Sequence, residues 1–367
     1  MLSKSTRTQQ RHLFNLDPVL MSALFVLCAM GLSVLYSAAS HEMNIVLRQA
    51  VHIAVGFVIL IFLAQISSEQ LFRWSPWLYL AGLALLVAVL TLGYTGKGAQ
   101  RWLDLGILRF QPSEVMKIIL PMAVAWYLSN KPAPISISQV VVAVLMIAFP
   151  TWLISIQPDL GTALLVSSIG FFAIFLAGIT WRFLILLGGI ILAGLPMVWF
   201  YLHDYQQQRI LTLLDPERDP LGTGYHIIQS KIAIGSGGVF GKGWLNGTQS
   251  QLDFIPERTT DFIFAVLGEE FGFFGVVLLL LIYGFIVMRG LSIASGAGDT
   301  YSRVLAGSLS LSFFVYFVVN IGMVSGLLPV VGVPLPLISY GGTSAVTILA
   351  AFGILMSIQS RRKLFTS

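Results

Sequence analysis

The sequence predicts an all-α polytopic membrane protein of about ten transmembrane helices, with a large extracytoplasmic loop between helices 7 and 8. Three observations carry this reading. Of 367 residues, 56% are hydrophobic and only 10% charged, against roughly 25% charged in soluble domains, so no water-facing surface can be assembled. Apolar runs of about 20 residues, the length that crosses a bilayer as a helix, recur from end to end. One long polar stretch, roughly 204–260, interrupts them.

The runs lie at roughly 18–38, 47–66, 76–94, 112–129, 138–156, 161–178, 181–203, 261–288, 303–324 and 343–359. The first ends in a cleavage-like Ser37-Ala38-Ala39, but it is longer than a signal-peptide apolar core and further runs follow, so it reads as an uncleaved helix. An even number of spans puts both termini on one side. Basic residues are nearly balanced between the two faces, yet Arg209, Arg218, Lys231, Lys242 and Arg258 share one long loop, and long loops count little towards orientation. Both termini are therefore expected in the cytoplasm. The net charge of +5 is scattered over loops and ends rather than gathered in a stripe. That pattern points to contact with membrane lipid and away from nucleic acid. Cys28 is the single cysteine and lies in an apolar run, which excludes a disulfide framework and a thiolate metal site. With no internal repeat and no low-complexity linker, residues 1–367 read as one domain.

Three outer segments are more than connectors. Residues 95–111 carry Lys97, Arg101, Trp102, Asp104 and Arg109; residues 204–260 mix glycines, acids and bases. Residues 325–342 are apolar but broken by Pro329, Pro334 and Pro336, so they cannot form a regular helix. Non-helical backbone at membrane depth must be buried in protein or line a cavity, and a re-entrant or capping element is expected.

Ionisable groups in apolar runs are costly and mark candidate sites. Glu114 and Lys117 open the fourth run after Pro112 and share a helix face. They are either a packing ion pair or the charged wall of a site. Asp159, in the tight turn Gln157-Pro158-Asp159-Leu160-Gly161-Thr162, is either a turn and cap residue or a site residue. Asp261 follows Pro256-Glu257-Arg258 at the start of the eighth run, where capping alone favours an acid. A base role there has to overcome the helix dipole, through desolvation or through Glu257. Glu269 and Glu270 lie deeper in a run longer than one span needs, with a break expected near Gly272 or Gly275. Residues 235–243 imitate a phosphate-binding loop, but Ser236 and Gly243 occupy the positions of its first glycine and its Ser/Thr, and the motif fails.

Four stretches then acquire a common meaning: Gly98-Ala99-Gln100-Arg101-Trp102-Leu103, Phe110-Gln111-Pro112-Ser113-Glu114, Gln157 to Thr162, and Tyr225 to Gly238. With Thr260-Asp261-Phe262-Ile263-Phe264 and Ser339-Tyr340-Gly341-Gly342, they resemble, in order and over nearly the full length, the SEDS (shape, elongation, division, sporulation) family. Gln157-Pro158 and Gly332-Val333-Pro334-Leu335-Pro336 are similar to its elongation type rather than its division type. Thr259 stands where many relatives carry His, so no imidazole role transfers to that position.

The resemblance implies a peptidoglycan glycosyltransferase of the bacterial cytoplasmic (inner) membrane that polymerises lipid II for lateral wall elongation and rod shape. Asp261 would be the catalytic base. Arg101, Arg109, Lys117, Lys231 and Arg258 would offset diphosphate charge, with Glu114 and Asp159 as further substrate-binding residues. No cofactor is certain; a divalent cation (Mg or Mn) bridging carboxylate and diphosphate is compatible with the chemistry. Expected partners are a class B penicillin-binding protein and the MreB, MreC and MreD-type elongation machinery. A lipid II flippase and a non-catalytic scaffold are the alternatives. The crowding of polar clusters on one face favours chemistry over midplane transport.

Overall fold

The computed structural model describes residues 15–96, 99–104, 109–131, 135–180, 204–219, 222–255 and 257–362, with isolated positions between 183 and 200. The helices before the gap are α1 (Pro18–Ala38), α2 (Met43–Gln65), α3 (Ser68–Leu92), α4 (Pro112–Ser129), α5 (Ile137–Ile156) and α6 (Leu160–Leu176). After it come α7 (Asp204–Leu214), α8 (Thr223–Gly237), α9 (Ile263–Ser295), α10 (Thr300–Val324) and α11 (Gly342–Arg362). The span expected at 181–203 falls largely outside the described residues; each of the other expected spans is a helix. Among the described residues, seven helices are long and apolar enough to cross a membrane. Helix α6 has 17 residues and α4 is less apolar, because it carries Glu114 and Lys117 into the interior.

Local chemistry starts these helices where the sequence changes character. The Asp17 carboxylate accepts hydrogen bonds from the main-chain N–H groups of Val19 and Leu20 at 3.1 and 3.4 Å, and Pro18 fills the first helical position. Arg289 of α9 pairs with the same carboxylate at 2.7 Å, which ties α1 to α9. Ser67 and Gln70 form a reciprocal capping box on α3. Asp299 caps α10 by accepting from Ser302 N at 2.8 Å.

Helices α10 and α11 are 61% and 67% buried over their most apolar windows, against 22–39% for the other apolar spans. Together with α4, most of whose residues are buried, they form the middle of the bundle, and α2, α3 and α5 lie on a rim whose exposed Val58, Phe62, Leu80 and Leu145 face lipid. Between α3 and α4 the chain makes a small antiparallel sheet of β1 (Tyr94–Gly96), β2 (Ala99–Asp104) and β3 (Arg109–Phe110).

Helix α9 is broken at Gly272, whose φ of 61° and ψ of −159° leave the helical region. A break frees backbone groups that lipid cannot satisfy, and here the glycine-rich segment after α8 satisfies them. Phe273 N and Phe274 N donate to the carbonyls of Gly238 and Val239 at 2.9 and 3.2 Å, while the carbonyls of Glu269 and Glu270 accept from Lys242 N and Gly243 N at 3.0 Å each. A side chain on Gly272 would run into Gly241 N and Val239 O. The phosphate-loop imitation at 235–243 thus has a structural reason: two backbones can approach this closely only where side chains are absent. Helix α8 runs parallel to the N-terminal part of α9, from His226 stacked on Phe262 to Gly237 against Gly268. Between these two contacts α9 advances about 9 Å at 1.5 Å per residue. Much of the 204–260 connection is consequently a packed descent and return rather than a surface loop.

The proline-broken stretch after α10 is an irregular buried element. Val333, Leu335, Leu337 and Ile338 are buried, and the fully buried Tyr283 donates its hydroxyl hydrogen bond to Pro336 O at 2.7 Å. Irregular backbone survives there because it lies inside protein, with partners for its polar groups.

Candidate active site

Asp261 sits at the N-terminal end of α9, two residues before its first helical residue, and the chain around it is clamped to the irregular element. Tyr340 N donates to Thr259 O at 2.8 Å, and Ser339 Oγ donates to Thr260 O at 2.6 Å while accepting from Leu335 N at 2.8 Å. Asn320 of α10 donates to Asp261 O at 2.8 Å and to Val333 O at 2.7 Å. From the other side, Gln49 of α2 donates to Ser339 O at 3.2 Å and accepts from Gly341 N at 3.1 Å. The carboxylate faces Gly332: a β-carbon there would lie 3.5 Å from Asp261 Oδ2. Main-chain bonds from α2, α10 and the irregular element therefore aim this side chain.

Glu114 and Lys117 form an ion pair at 2.5 Å, with both residues buried. Lys117 Nζ also lies 4.7 Å from the ring centroid of Tyr316. The ring of Tyr316 packs in turn with Leu165 of α6 and Val333 of the irregular element. Glu114 Oε2 is buried without a hydrogen-bond partner among the described residues. The pair lines a narrow cleft of about 30 Å³ whose other walls include Ile118, Phe313, Thr347 and Phe352, so that its polar end is the Glu114–Lys117 pair and most of the remaining lining is apolar. Tyr316 and Asn320 stand four residues apart on α10 and so share a face. One helical turn separates the contact with Lys117 from the contact with Asp261.

Asp159 is buried and accepts from Gln111 Nε2 at 3.1 Å and Thr162 N at 3.3 Å. It thus caps α6 and also binds a side chain of the α4 entry. Arg101 of β2 holds the same turn: its Nε donates to Gln157 O at 3.3 Å and stands 3.9 Å from Asp159 Oδ2, and its Nη2 donates to Pro158 O. Gly161 lets this turn press on Val331 O, next to the Gly332 that faces Asp261. Arg258 is bound to Asp253, Ser250 O and Ser40 Oγ, which fastens the returning loop to the end of α1. Lys231 is exposed beside Gly326, where Ser230 Oγ donates to Val324 O at 2.7 Å and α10 ends. A cation suits that helix C-terminus. Arg109 lies on β3, and its side chain falls outside the described residues.

Glu269 and Glu270 serve the break in α9. Glu269 accepts from Lys242 Nζ at 2.8 Å, Thr248 Oγ1 at 3.1 Å, Gln249 N at 2.9 Å and Ser250 N at 3.2 Å, and Glu270 accepts from Ser37 Oγ of α1. His226, stacked on the neighbour of Asp261, has its proton affinity lowered by burial, against the opposing pull of the Glu257 and Asp219 carboxylates.

Sequence reasoning passed over Gln49, Tyr316, Asn320 and His226. Asn320 and Gln49 carried a readable signal, since an amide inside an apolar run needs hydrogen-bond partners; which partners they are is set by helices distant in sequence. Among the described residues no three His, Cys, Asp or Glu side chains converge on one point, so a cation held by protein ligands alone does not fit. One held mainly by substrate phosphates does, because magnesium commonly uses one or two carboxylates plus phosphate oxygens.

Residues 14–364 match the family described as FTSW_RODA_SPOVE, cell cycle protein. The chain is 52% identical over 353 residues to the peptidoglycan glycosyltransferase MrdB of Escherichia coli K12, covering 96% of this chain and 95% of that one. Its fold is similar to a chain in a structure of a peptidoglycan synthase complex that coordinates polymerization and crosslinking, with a TM-score of 0.82, 34% identity and coverage of 96% and 99%. It is also similar to the Thermus thermophilus rod shape determining protein RodA, with a TM-score of 0.72, 31% identity and coverage of 94% and 97%.

Proposed function

The chain belongs to the FtsW, RodA and SpoVE family of cell cycle proteins, and we propose that its clamped Asp261 is the base with which it polymerises lipid II. It is a multi-pass membrane protein and a peptidoglycan glycosyltransferase. The reaction joins an acceptor sugar to a lipid-linked donor. The acceptor hydroxyl oxygen attacks C1 of the donor sugar, the C1–O bond to diphosphate breaks, and undecaprenyl diphosphate leaves with the bonding electrons. Asp261 takes the hydroxyl proton, an effect worth about two to four orders of magnitude in rate. The observation that carries this role is the clamp: bonds to the main chain at Thr259, Thr260 and Asp261 hold the segment that carries the carboxylate in place beside Gly332, and preorganisation of this kind favours proton transfer.

Charge on the leaving diphosphate needs cations. Lys231, exposed midway along α8 beside Gly326, and Lys117, at the polar end of the cleft, are the best placed to supply them. Arg101 and Arg258 shape the walls through their bonds to the Asp159 turn and to Ser40, and Arg109 completes the cationic set. Glu114 orients Lys117, and Asp159 orients Arg101 and Gln111. A divalent cation, Mg or Mn, held mainly by the diphosphate oxygens, would when bound neutralise leaving-group charge.

The MrdB relative and the synthase complex support two further readings. The enzyme works beside a class B penicillin-binding protein that cross-links its product, within MreB, MreC and MreD-type elongation machinery. It lies in the inner membrane with both termini in the cytoplasm, and residues 1–367 act as one domain. The test is direct. Purified protein with lipid II, alone and with its transpeptidase partner, should give glycan strands that lysozyme digests. Movement of lipid II across vesicles without polymer, under conditions where a related polymerase works, would replace this reading with a flippase.

A further inference from the structure

Asn320 is fully buried at the end of α10, and both of its amide protons are committed. One goes to the carbonyl of Asp261 itself at 2.8 Å and the other to the carbonyl of Val333 at 2.7 Å. Two carbonyl acceptors fix the amide's orientation, because a flipped amide would set its own oxygen against both of them. In this orientation its Oδ1 is buried without a partner among the described residues. Leaving a buried polar atom unmatched is unfavourable, and leucine, of nearly the same shape, would remove that orphan only by taking the donor away from the carbonyls of Asp261 and Val333. Packing alone therefore does not account for an asparagine here.

The two carbonyls belong to the two sides of the space around the Asp261 carboxylate. One side is the main chain that carries the carboxylate. The other is Gly332–Val333, and Gly332 is the residue that Asp261 Oδ2 faces, with 3.5 Å to the place a β-carbon would take. A single amide thus spans the gap across which the carboxylate stands. The bonds of Ser339 and Tyr340 hold Thr260 and Thr259, but at Asp261 itself Asn320 is the side chain that ties the backbone to α10.

We propose that Asn320 is a positioning residue for the glycosyl transfer: by bridging Asp261 and Val333 it sets where the Asp261 carboxylate stands relative to the irregular element. It touches no reacting atom and acts only through Asp261. This rests on Asp261 being the base. Losing the bridge lets the carboxylate drift from the acceptor hydroxyl, and small misplacements of a catalytic group are costly in rate. Substrate contacts stay in place, so affinity is spared. The local dielectric around the carboxylate changes as the gap opens, so its titration moves as well.

The test compares wild type, Asn320→Leu and Asp261→Asn in lipid II polymerisation across pH, with thermal stability in detergent measured alongside. Asn320→Leu should lower kcat at least tenfold, keep KM for lipid II within about twofold, and shift the acid limb of the pH–rate profile. A kcat within threefold of wild type on an unshifted profile overturns the proposal, as does a loss that lies in KM with kcat kept. If Asn320→Leu does not accumulate, Asn320→Ser, which is smaller and keeps one donor, is judged by the same criteria. Asp261→Asn separates the two ideas. Activity in that variant removes the base assignment itself, whereas an inactive Asp261→Asn beside a fully active Asn320 variant removes only the positioning role.

Discussion

Lys117 directs its ammonium both at Glu114, 2.5 Å away, and at the ring of Tyr316, 4.7 Å from its centroid. A buried cation with two partners on different helices behaves differently from a surface pair, where the gain is about 0–1 kcal/mol. Neutralising either Glu114 or Lys117 alone leaves a buried charge uncompensated, at a cost of about 3–5 kcal/mol. The exchange Glu114→Lys with Lys117→Glu restores attraction but turns the cation away from Tyr316. Thermal stability in detergent should return towards wild type in the exchange, while lipid II turnover stays lost. Recovery of both would make the pair a packing device only.

Asp261→Asn keeps the shape of the side chain and the main-chain carbonyl that Asn320 holds. Stability should therefore be unchanged, while polymerisation falls by about two orders of magnitude or more. Turnover near wild type would remove Asp261 from the base role.

The break in α9 gives a contrast within one helix. Gly272→Ala places a side chain at a φ of 61° against Gly241 N and Val239 O, and should cost more than about 1 kcal/mol through strain and lost backbone bonds. At Gly284 of the same helix nothing stands within 4 Å of an added β-carbon, so Gly284→Ala should leave the melting temperature unchanged or raised. Equal effects at the two positions would mean that the glycine segment does not support the break.

Glu269 collects four donors and Lys242 is only one of them. Glu269→Gln turns its amide N–H groups towards other donors, and should lower the melting temperature more than Lys242→Ala, which leaves three bonds standing. The reverse order would show that the ion pair, rather than the capped turn at Thr248–Gln251, holds the loop to α9.

His226 supplies a pH dependence of known sign. Burial holds its folded-state proton affinity below the ordinary value of 6.5, so below that pH the unfolded chain binds more protons than the folded one. Its contribution is therefore complete above about pH 6.5 and is lost as pH falls through that value towards the lowered one. Melting temperatures from pH 8 to 5 should drop more steeply for wild type than for His226→Phe, which keeps a ring against Phe262. Parallel curves would remove His226 from the acid response.

What the sequence determined by itself follows from local physics. An apolar run of about 20 residues has few stable states besides a membrane helix, so the spans were legible wherever the structure describes them. Pro329, Pro334 and Pro336 ruled out a helix after α10 because proline removes a donor and clashes with the preceding turn. Asp17, Ser67 and Asp299 began helices because their side chains reach their own neighbours' N–H groups. The ion pair of Glu114 with Lys117 was readable for the same reason, since residues three apart share a helix face.

Only the tertiary structure decided what those local pieces meet. Nothing near residues 235–243 says that their glycines repair a helix broken at Gly272, because the bonds join segments about thirty residues apart through backbone atoms that every residue shares. Asn320 shows its need for partners in the sequence, but its choice of Asp261 and Val333 depends on α10 standing between α9 and the irregular element. Arg101 and Arg258 looked like free cations until packing placed carboxylates and carbonyls around them. Charge and periodicity are properties of a residue and its near neighbours, whereas a site is a property of the distances between segments, and those distances are set when the whole bundle closes.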